Sequence, residues 1–224
     1  MPFFNYDSKK HHTRLMPYSL MILCLFFIVS SNSDAKTLSH IDISQAYYKS
    51  YNYEKSGNIS DAIKAVQLIY SEYPAGFTIN NRLGYLYSLN KNYNNAISHY
   101  QQAIFSLPNS LTPKTGLLSV YILSEQYSEA IKTAYQIISI DHYNYYGNLK
   151  LAHVLRKTKK YELSGKILSK MLLLYPSDTL YLTELGLLHY EQNNRQEARL
   201  IMKNVLILDP ENFFAKKILL AIEQ

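Results

Sequence analysis

Apolar residues recur at spacings of three and four along most of the chain, in pairs of runs separated by a short polar segment. The clearest pair is formed by Leu83, Leu86 and Tyr87 and then by Ile97, Tyr100 and Ile104. Side chains at these spacings share one face of an α-helix. Residues 90–92 lie between the two runs and read Asn-Lys-Asn, and asparagine favours turns. Each pair of runs therefore predicts two amphipathic helices joined by a short turn.

The pattern returns every 34 residues. Pro74 and Pro108 are 34 residues apart, and so are Pro176 and Pro210. His142 stands midway between the two pairs, where a further proline would be expected. Proline ends a helix because it forces the preceding residue out of helical conformation. With each proline at position 32 of a unit, the chain divides into five units, residues 43–76, 77–110, 111–144, 145–178 and 179–212.

Side-chain size also repeats at fixed positions of the unit. Position 7 is leucine in every unit except the first, which has Lys49. Position 20 is always small: Ala62, Ala96, Ala130, Ser164 and Ala198. Small side chains allow the two helices of a unit to approach closely, and larger ones at positions 7, 11, 24 and 27 fill the space between units. The recurrence predicts stacked helical hairpins that share one continuous core.

These residues resemble the tetratricopeptide repeat family. The unit at 77–110 is the closest match, through Leu83, Gly84, Tyr87, Ala96, Tyr100, Ala103 and Pro108. The resemblance implies an all-α fold, a right-handed α-solenoid of five helix-turn-helix repeats closed by a capping helix at 213–224. Phe214, Ile218 and Leu219 are expected to cover the last unit.

The sequence departs from the family pattern at several positions. The chain has no Trp, so position 4 lacks the large aromatic residue that the family often has there. Leu118 occupies position 8 of its unit, which is usually small. Lys49 and Ser50 are polar at positions 7 and 8 of the first unit. Because no unit precedes that face, we expect both to keep it soluble.

The N-terminal segment differs in character from the repeats. Residues 1–33 contain a basic opening, an apolar stretch from Leu15 to Val29 and small residues before Ser33, which is the order of a secretory signal peptide. We expect cleavage after Ser33, with Ala35 as the next candidate, and a lead-in at 34–42. The alternative is an uncut anchor, which the short apolar stretch disfavours. The sequence therefore predicts export, to the periplasm or cell envelope of a Gram-negative bacterium.

The composition shows no catalytic chemistry. The chain has 224 residues, a formal charge of +6 and one thiol, Cys24, within the apolar leader. The seven glycines form no phosphate-binding loop, and His99, His142, His153 and His189 each lie in a different unit. We therefore predict no enzyme activity, no cofactor and no metal site.

A binding surface is expected on the first helix of each unit, which in the family lines a concave groove with positions 2, 5, 9 and 12. Carried over by position, the groove residues are Tyr47, Tyr51, Asn81, Tyr85, Thr115, Ser119, Tyr146, Leu149, His153, Leu187 and Tyr190. Tyrosine offers a large apolar area and a hydroxyl at low entropy cost. With 22 tyrosines in the chain, composition alone is the competing explanation. The chain also lacks the Lys and Asn set with which chaperone cofactors of the family hold a peptide's terminal carboxylate. The predicted function is a non-catalytic scaffold of the cell envelope that docks a peptide segment or protein surface.

A basic cluster in the fourth unit suggests another partner class. Its members are Lys150, Arg156, Lys157, Lys159, Lys160, Lys166 and Lys170, with Glu162 as the only acidic residue among them. Such a cluster attracts anionic polymers, so an envelope polysaccharide is the alternative partner, although a solvated turn gives the same pattern. Nucleic acid is not expected for an exported chain. A third alternative, if the leader stays uncut, is a membrane-tethered assembly subunit.

Overall fold

The computed structural model describes residues 37–224, which form α-helices and no β-strand. The predicted signal peptide and Cys24 lie outside the described residues. The helices of this range are α1 (His40–Lys55), α2 (Ile59–Glu72), α3 (Phe77–Leu89), α4 (Tyr93–Ser106), α5 (Leu111–Leu123), α6 (Tyr127–Ile140), α7 (Tyr145–Lys157), α8 (Tyr161–Leu174), α9 (Thr179–Glu191), α10 (Arg195–Leu208) and α11 (Phe213–Glu223).

The helix boundaries follow the 34-residue unit. From the second unit on, the first helix of each pair begins at position 1, and in all five units the second helix runs from position 17 to position 30. The helix α6 ends at Ile140 in the same register as the others, although His142 and not proline follows it. Proline at position 32 therefore marks the helix end without being required for it.

The first helix starts earlier than the sequence indicates. It begins at His40, so residues 40–42 of the expected lead-in are helical. The cause is a capping box, in which the Asp42 backbone N–H donates to Ser39 Oγ at 3.2 Å and the Ser39 N–H donates to Asp42 Oδ2 at 3.1 Å. This reciprocal pair satisfies two backbone donors at the helix start and adds about one turn to α1.

The turn inside each hairpin has one conformation throughout the array. Position 15 has a positive φ in every unit, between 57° and 77°, although only the first unit has glycine there. The other four residues are Lys91, Glu125, Lys159 and Asn193. In each turn the backbone N–H of position 16 donates to the carbonyl of position 11, as Asn92 does to Tyr87 at 2.9 Å. This closes the first helix in the manner of a Schellman motif, and the motif imposes the left-handed conformation even on charged residues.

Packing is local along the array. Each helix packs against its neighbours in the chain, and successive first helices also pack against each other from α3 to α11. Four clusters of buried side chains follow one another along residues 37–224, and the largest centres on Leu117, Leu118, Leu151 and Leu155. Nearest-neighbour packing of this kind defines a solenoid. The predicted all-α solenoid is confirmed.

At position 4, where the family often has a large aromatic residue, three units have a polar side chain that bonds to the preceding unit. Asn80, Lys114 and Asn148 are almost fully buried there. Each donates a side-chain hydrogen bond to the position-32 carbonyl of the preceding unit. The three acceptors are the carbonyl oxygens of Pro74, Pro108 and His142. Because a backbone carbonyl is the target, histidine serves at position 32 as well as proline does.

Close approach in the middle of the array depends on two glycines. The Tyr100 ring lies between Gly84 and Gly116, and a Cβ added to Gly116 would be 2.3 Å from Tyr100 Cζ. An added Cβ at Gly84 would lie 2.8 Å from the same ring. Leu118 is fully buried, so the third unit accommodates leucine at position 8.

The capping helix covers the last unit with a partly different set of side chains. Ala215, Ile218 and Ile222 are buried against α9 and α10. Leu219 packs at the margin of this cluster, whereas Phe214 is 51% exposed. Phe214 thus covers the last unit only in part, and it lines a pocket together with Leu180 and Leu187 of that unit.

Candidate functional site

Nine of the eleven predicted groove residues line three hollows along the first helices of the units, and two of these hollows overlap. The N-terminal depression, about 360 Å³, includes Tyr47, Tyr51, Asn81 and Tyr85. The middle depression, about 460 Å³, shares Asn81 and Tyr85 with it and adds Thr115 and Ser119. The C-terminal pocket, about 500 Å³, contains Leu149, His153 and Leu187. Tyr146 and Tyr190 line none of the three.

Two tyrosines of the N-terminal depression are exposed to solvent and held in place by neighbouring side chains, whereas Tyr47 is half-buried. Tyr51 is 50% exposed and Tyr85 is 41% exposed. The Arg82 guanidinium lies 3.9 Å from the centroid of the Tyr51 ring, a cation–π contact. The Tyr85 hydroxyl donates to Glu54 Oε1 at 3.0 Å. Each ring is therefore held by one neighbouring group and keeps one face free. Little side-chain entropy is lost when a ligand packs on that face.

Arg82 organises this depression, although the sequence analysis did not select it. Its guanidinium pairs with Glu54, and its Nη2 donates to Ser50 Oγ at 3.0 Å. Ser50 is fully buried beneath it. The expectation that Ser50 faces solvent is therefore wrong, because Arg82 of the next unit covers it, whereas Lys49 is exposed as expected.

The hydroxyl groups of the middle depression are already engaged. Thr115 Oγ1 donates to the Leu111 carbonyl at 2.9 Å, and Ser119 Oγ donates to the Thr115 carbonyl at 2.8 Å. Ser119 Oγ also accepts a hydrogen bond from Lys150 Nζ. Asn81 differs, because its Oδ1 is buried and has no hydrogen-bond partner within residues 37–224. The Asn81 oxygen is thus a buried acceptor that no group of the described residues satisfies.

The C-terminal pocket has apolar walls and an ionic floor. It lies between the first helices α7 and α9 and the capping helix α11, which takes the place of a further first helix. Its apolar walls are Leu149, Leu180, Leu187, Phe214 and Ile218. Arg156, Glu184, Glu191 and His153 supply its ionisable floor, and Lys150, Lys157 and Lys217 complete the lining.

Arg156 connects the ionisable groups of that floor. It is 3% exposed, and its Nε and Nη2 donate to the two carboxylate oxygens of Glu184 at 2.5 and 3.3 Å. Its Nη1 donates to Glu191. His153 Nδ1 lies 3.3 Å from Glu184 Oε2. Burial by itself would raise the pKa of Glu184, but the hydrogen bonds from His153 and Arg156 and the Arg156 charge hold it below its usual range.

The seven cations of the fourth unit do not form one surface. Arg156 is buried and paired, and Lys166 pairs with Glu162 on α8. Lys170 donates to Asn148 Oδ1 at 2.9 Å, also from α8. Lys150 and Lys157 line the C-terminal pocket, while Lys159 and Lys160 belong to the hairpin turn. The basic cluster of the sequence therefore divides between the C-terminal pocket, the hairpin turn and α8, because the two helices of the unit direct its members differently.

Two tyrosines of the predicted groove lie outside its hollows. Tyr146 is exposed, and its ring meets that of Tyr145 edge to face at 4.9 Å. Tyr145 in turn donates to Asp178 Oδ2 at 2.9 Å. Tyr190 is half-buried and packs against the cluster beneath α11. Tyr190 therefore contributes to packing in the last unit.

Residues 37–224 contain no group of three or more His, Cys, Asp or Glu side chains placed to hold a metal ion. Within the same range, no helix combines the length and the apolar character that a membrane span requires.

Comparison with known proteins identifies the repeat. Residues 77–104 match the sequence model of the tetratricopeptide repeat, within the unit that carries the closest resemblance. No curated protein matches the chain as a whole. Many solved structures share the fold.

Three of these structures illustrate the likeness. A tetratricopeptide repeat protein from Parabacteroides merdae superposes with a TM-score of 0.73 at 13% identity, over 81% of this chain and 72% of that one. MamA from Desulfovibrio magneticus gives 0.69 at 13% identity, over 77% and 97%. YrrB, described as a tetratricopeptide repeat protein with an unusual peptide-binding site, gives 0.66 at 12% identity, over 82% and 93%. At these identities the likeness shows the fold.

Proposed function

Because the chain folds as a solenoid of tetratricopeptide repeats, we propose that it is a non-catalytic scaffold that docks a peptide segment or protein surface in its concave groove. The fold supports protein interaction in general, since stacked hairpins present an extended concave face. One solved structure of this fold, YrrB, is described as having a peptide-binding site.

The observation that carries the proposal is the N-terminal depression. Tyr51 and Tyr85 present free ring faces while Arg82 and Glu54 hold them in place. Asn81 lies beside them with an unpaired carboxamide oxygen. Rigid aromatic faces suit a polypeptide ligand, because they offer a large apolar area at low entropy cost.

We place this activity in a bacterial cell envelope, on the strength of the signal-peptide pattern in residues 1–33. N-terminal sequencing of the protein purified from producing cells tests the placement. A mature chain that begins at residue 34 supports export, and a chain that retains residues 1–33 contradicts cleavage.

The groove is tested by selecting random dodecapeptides displayed on phage against the chain. Selected peptides are then synthesised, and binding is measured by fluorescence anisotropy. We expect the double variant Tyr51→Ala, Tyr85→Ala to weaken binding at least tenfold, since buried aromatic anchors contribute most of the energy at such interfaces.

A matched control removes two exposed tyrosines elsewhere. Tyr48 on α1 and Tyr135 on α6 are exposed and line none of the three hollows. Tyr48→Ala with Tyr135→Ala should leave binding unchanged. Failure to select any binding peptide, or equal loss in both double variants, would contradict peptide docking in the groove.

A further inference from the structure

We propose that the C-terminal pocket recognises an acidic segment of the docked partner, and that one bulky apolar side chain of that segment enters the pocket while neighbouring carboxylates contact the lysines at its edge. The inference rests on the proposed function and specifies the partner's chemistry at one end of the groove.

The walls of the pocket are suited to an apolar side chain. Leu180 is 51% exposed, as is Phe214. Both face the same cavity of about 500 Å³, together with Leu149, Leu187 and Ile218. Apolar area that remains open around a concave cavity favours a ligand that removes it from water. A leucine or phenylalanine side chain would fill only part of this volume, so the rest of the segment lies along the pocket edge.

The charges around the pocket are unbalanced. Four cations line it, Lys150, Arg156, Lys157 and Lys217, against two carboxylates, Glu184 and Glu191. Both carboxylates bond Arg156, so the positive excess resides on the three lysines. None of these lysines has a carboxylate within salt-bridge distance in residues 37–224. An anionic partner would supply the missing counter-charge.

Lys150 is the most informative of the three. Its ammonium is half-buried, and burial lowers its pKa. Its hydrogen-bond partner is the neutral Ser119 hydroxyl, which belongs to the middle depression. A carboxylate beside Lys150 would stabilise the charged form that burial disfavours. Because Lys150 lies between the two hollows, a segment that reaches it from the pocket continues towards Tyr85.

The charged groups of the floor are paired with one another. The lysines at the edge are therefore the groups available to an anionic ligand. Arg156 bonds Glu184 twice and Glu191 once, so each of its three guanidinium nitrogens already donates to a carboxylate. An incoming carboxylate would be repelled by Glu184 and Glu191 and attracted by the lysines. This separation favours an apolar group above the floor and acidic groups at the edge. A sulfated or carboxylated polymer without apolar side chains would leave Leu180 and Phe214 uncovered.

The peptides selected from the random library test this chemistry directly. We expect them to share a leucine, isoleucine or phenylalanine flanked by two or more Asp or Glu residues. Their affinity should fall at least tenfold in Lys157→Glu with Lys217→Glu, and again in Leu180→Ala with Phe214→Ala. Raising the salt concentration should weaken the wild-type complex, because the lysines at the pocket edge are accessible to ions.

Each pocket variant has a matched control outside the groove. Arg199→Glu with Lys203→Glu makes the same charge change on exposed residues of α10. Phe105→Ala with Leu173→Ala removes the same side-chain types from exposed positions of α4 and α8. Neither control should change peptide affinity. Circular dichroism of all variants verifies that they fold.

The outcomes separate the inference from the proposed function. Selected peptides that are neutral or basic, or that respond to Tyr51→Ala with Tyr85→Ala but not to the pocket variants, overturn the inference and leave peptide docking in place. Failure to select any peptide overturns both. If light scattering shows a dimer that the pocket variants dissociate, a second copy of the chain occupies the pocket and the inference is wrong.

Discussion

The two ends of the concave surface carry the same ion pair with the charges exchanged. At the N-terminal junction, position 6 of the second unit is Arg82 and it pairs with Glu54 at position 12 of the first. At the C-terminal junction, position 6 of the fifth unit is Glu184 and it pairs with Arg156 at position 12 of the fourth. The repeat therefore specifies which two positions meet, and either position accepts either sign.

The two pairs differ in how deeply they are buried. The Glu54 side chain is 21% exposed, whereas that of Glu184 is 9% exposed. The helices explain this, because α7 and α9 are in close backbone contact and α1 and α3 are not. Arg82 spans the wider gap through Ser50 and is covered by the Tyr51 ring. The pair between the more widely separated helices α1 and α3 therefore lies next to exposed tyrosines. The pair between the closer helices α7 and α9 lies at the floor of a pocket.

We expect the largest loss of stability, and the clearest difference between the two junctions, when the arginine of each ion pair is replaced by alanine. Arg156→Ala should destabilise the protein by about 3–5 kcal/mol, because it leaves the buried Glu184 without its partner. Arg82→Ala should cost about half as much, since Glu54 can turn towards water. Urea denaturation followed by circular dichroism gives both values. Equal losses would mean that burial depth does not separate the two junctions.

The stability contributed by the Arg156–Glu184 pair should decrease at acidic pH. The folded pKa of Glu184 lies below its usual range, so its contribution to stability is complete above about pH 5 and is lost as the pH falls below about 4. Glu184→Gln should cost about 1.5–3 kcal/mol at neutral pH, as for other hydrogen bonds to charged groups. The gap between variant and wild type should close on acidification. Glu162→Gln, on the exposed surface, should show little difference at either pH.

The junction between the second and third units lacks an ion pair, since position 12 is Ser88 and position 6 is Gly116. The Tyr100 ring occupies the space instead. Gly116→Ala should therefore destabilise the protein by about 1–3 kcal/mol through overpacking. Adding Tyr100→Leu should recover part of this loss. A neutral effect of Gly116→Ala would show that the ring can move aside freely.

The smallest expected effects come from two opposite substitutions at position 15 of the hairpin turns. Gly57 and Lys159 occupy position 15 with φ of 77° and 59°, and a Cβ added to Gly57 meets no atom within 4 Å. Gly57→Lys should therefore cost about 1 kcal/mol, and Lys159→Gly should gain a similar amount. Both changes are measured by thermal unfolding. Changes of the same sign would mean that the two turns are not equivalent.

The solenoid was predictable because recurrence is visible in sequence. Prolines, small residues and turn residues return in step, so helix positions follow without any knowledge of long-range contacts. The left-handed turn conformation was harder to foresee at Glu125 and Lys159, which do not favour it. Only their alignment with Gly57 at position 15 indicates it.

The site was less predictable because its contacts join neighbouring units. The residues of each ion pair are 28 apart, beyond any single helical face. Opposite charges at positions 12 and 6 of adjacent units are the signal that identifies such pairs. Counting cations within the fourth unit misses the pairing of Arg156 for the same reason, since Glu184 and Glu191 belong to the fifth. The exposed Phe214 was missed because packing, not pattern, selects which side of α11 is buried.

The capping helix begins at Phe213, where position 1 of a sixth unit would fall, and it packs on α9 and α10 as a first helix does. Helix α11 therefore stands where the first helix of a further unit would stand. A gene duplication that inserts a further 34 residues would meet a matching surface on both sides. Insertion of whole units within the array is consequently open to evolution, and to engineers, because each new unit would meet the same kind of neighbour on both sides.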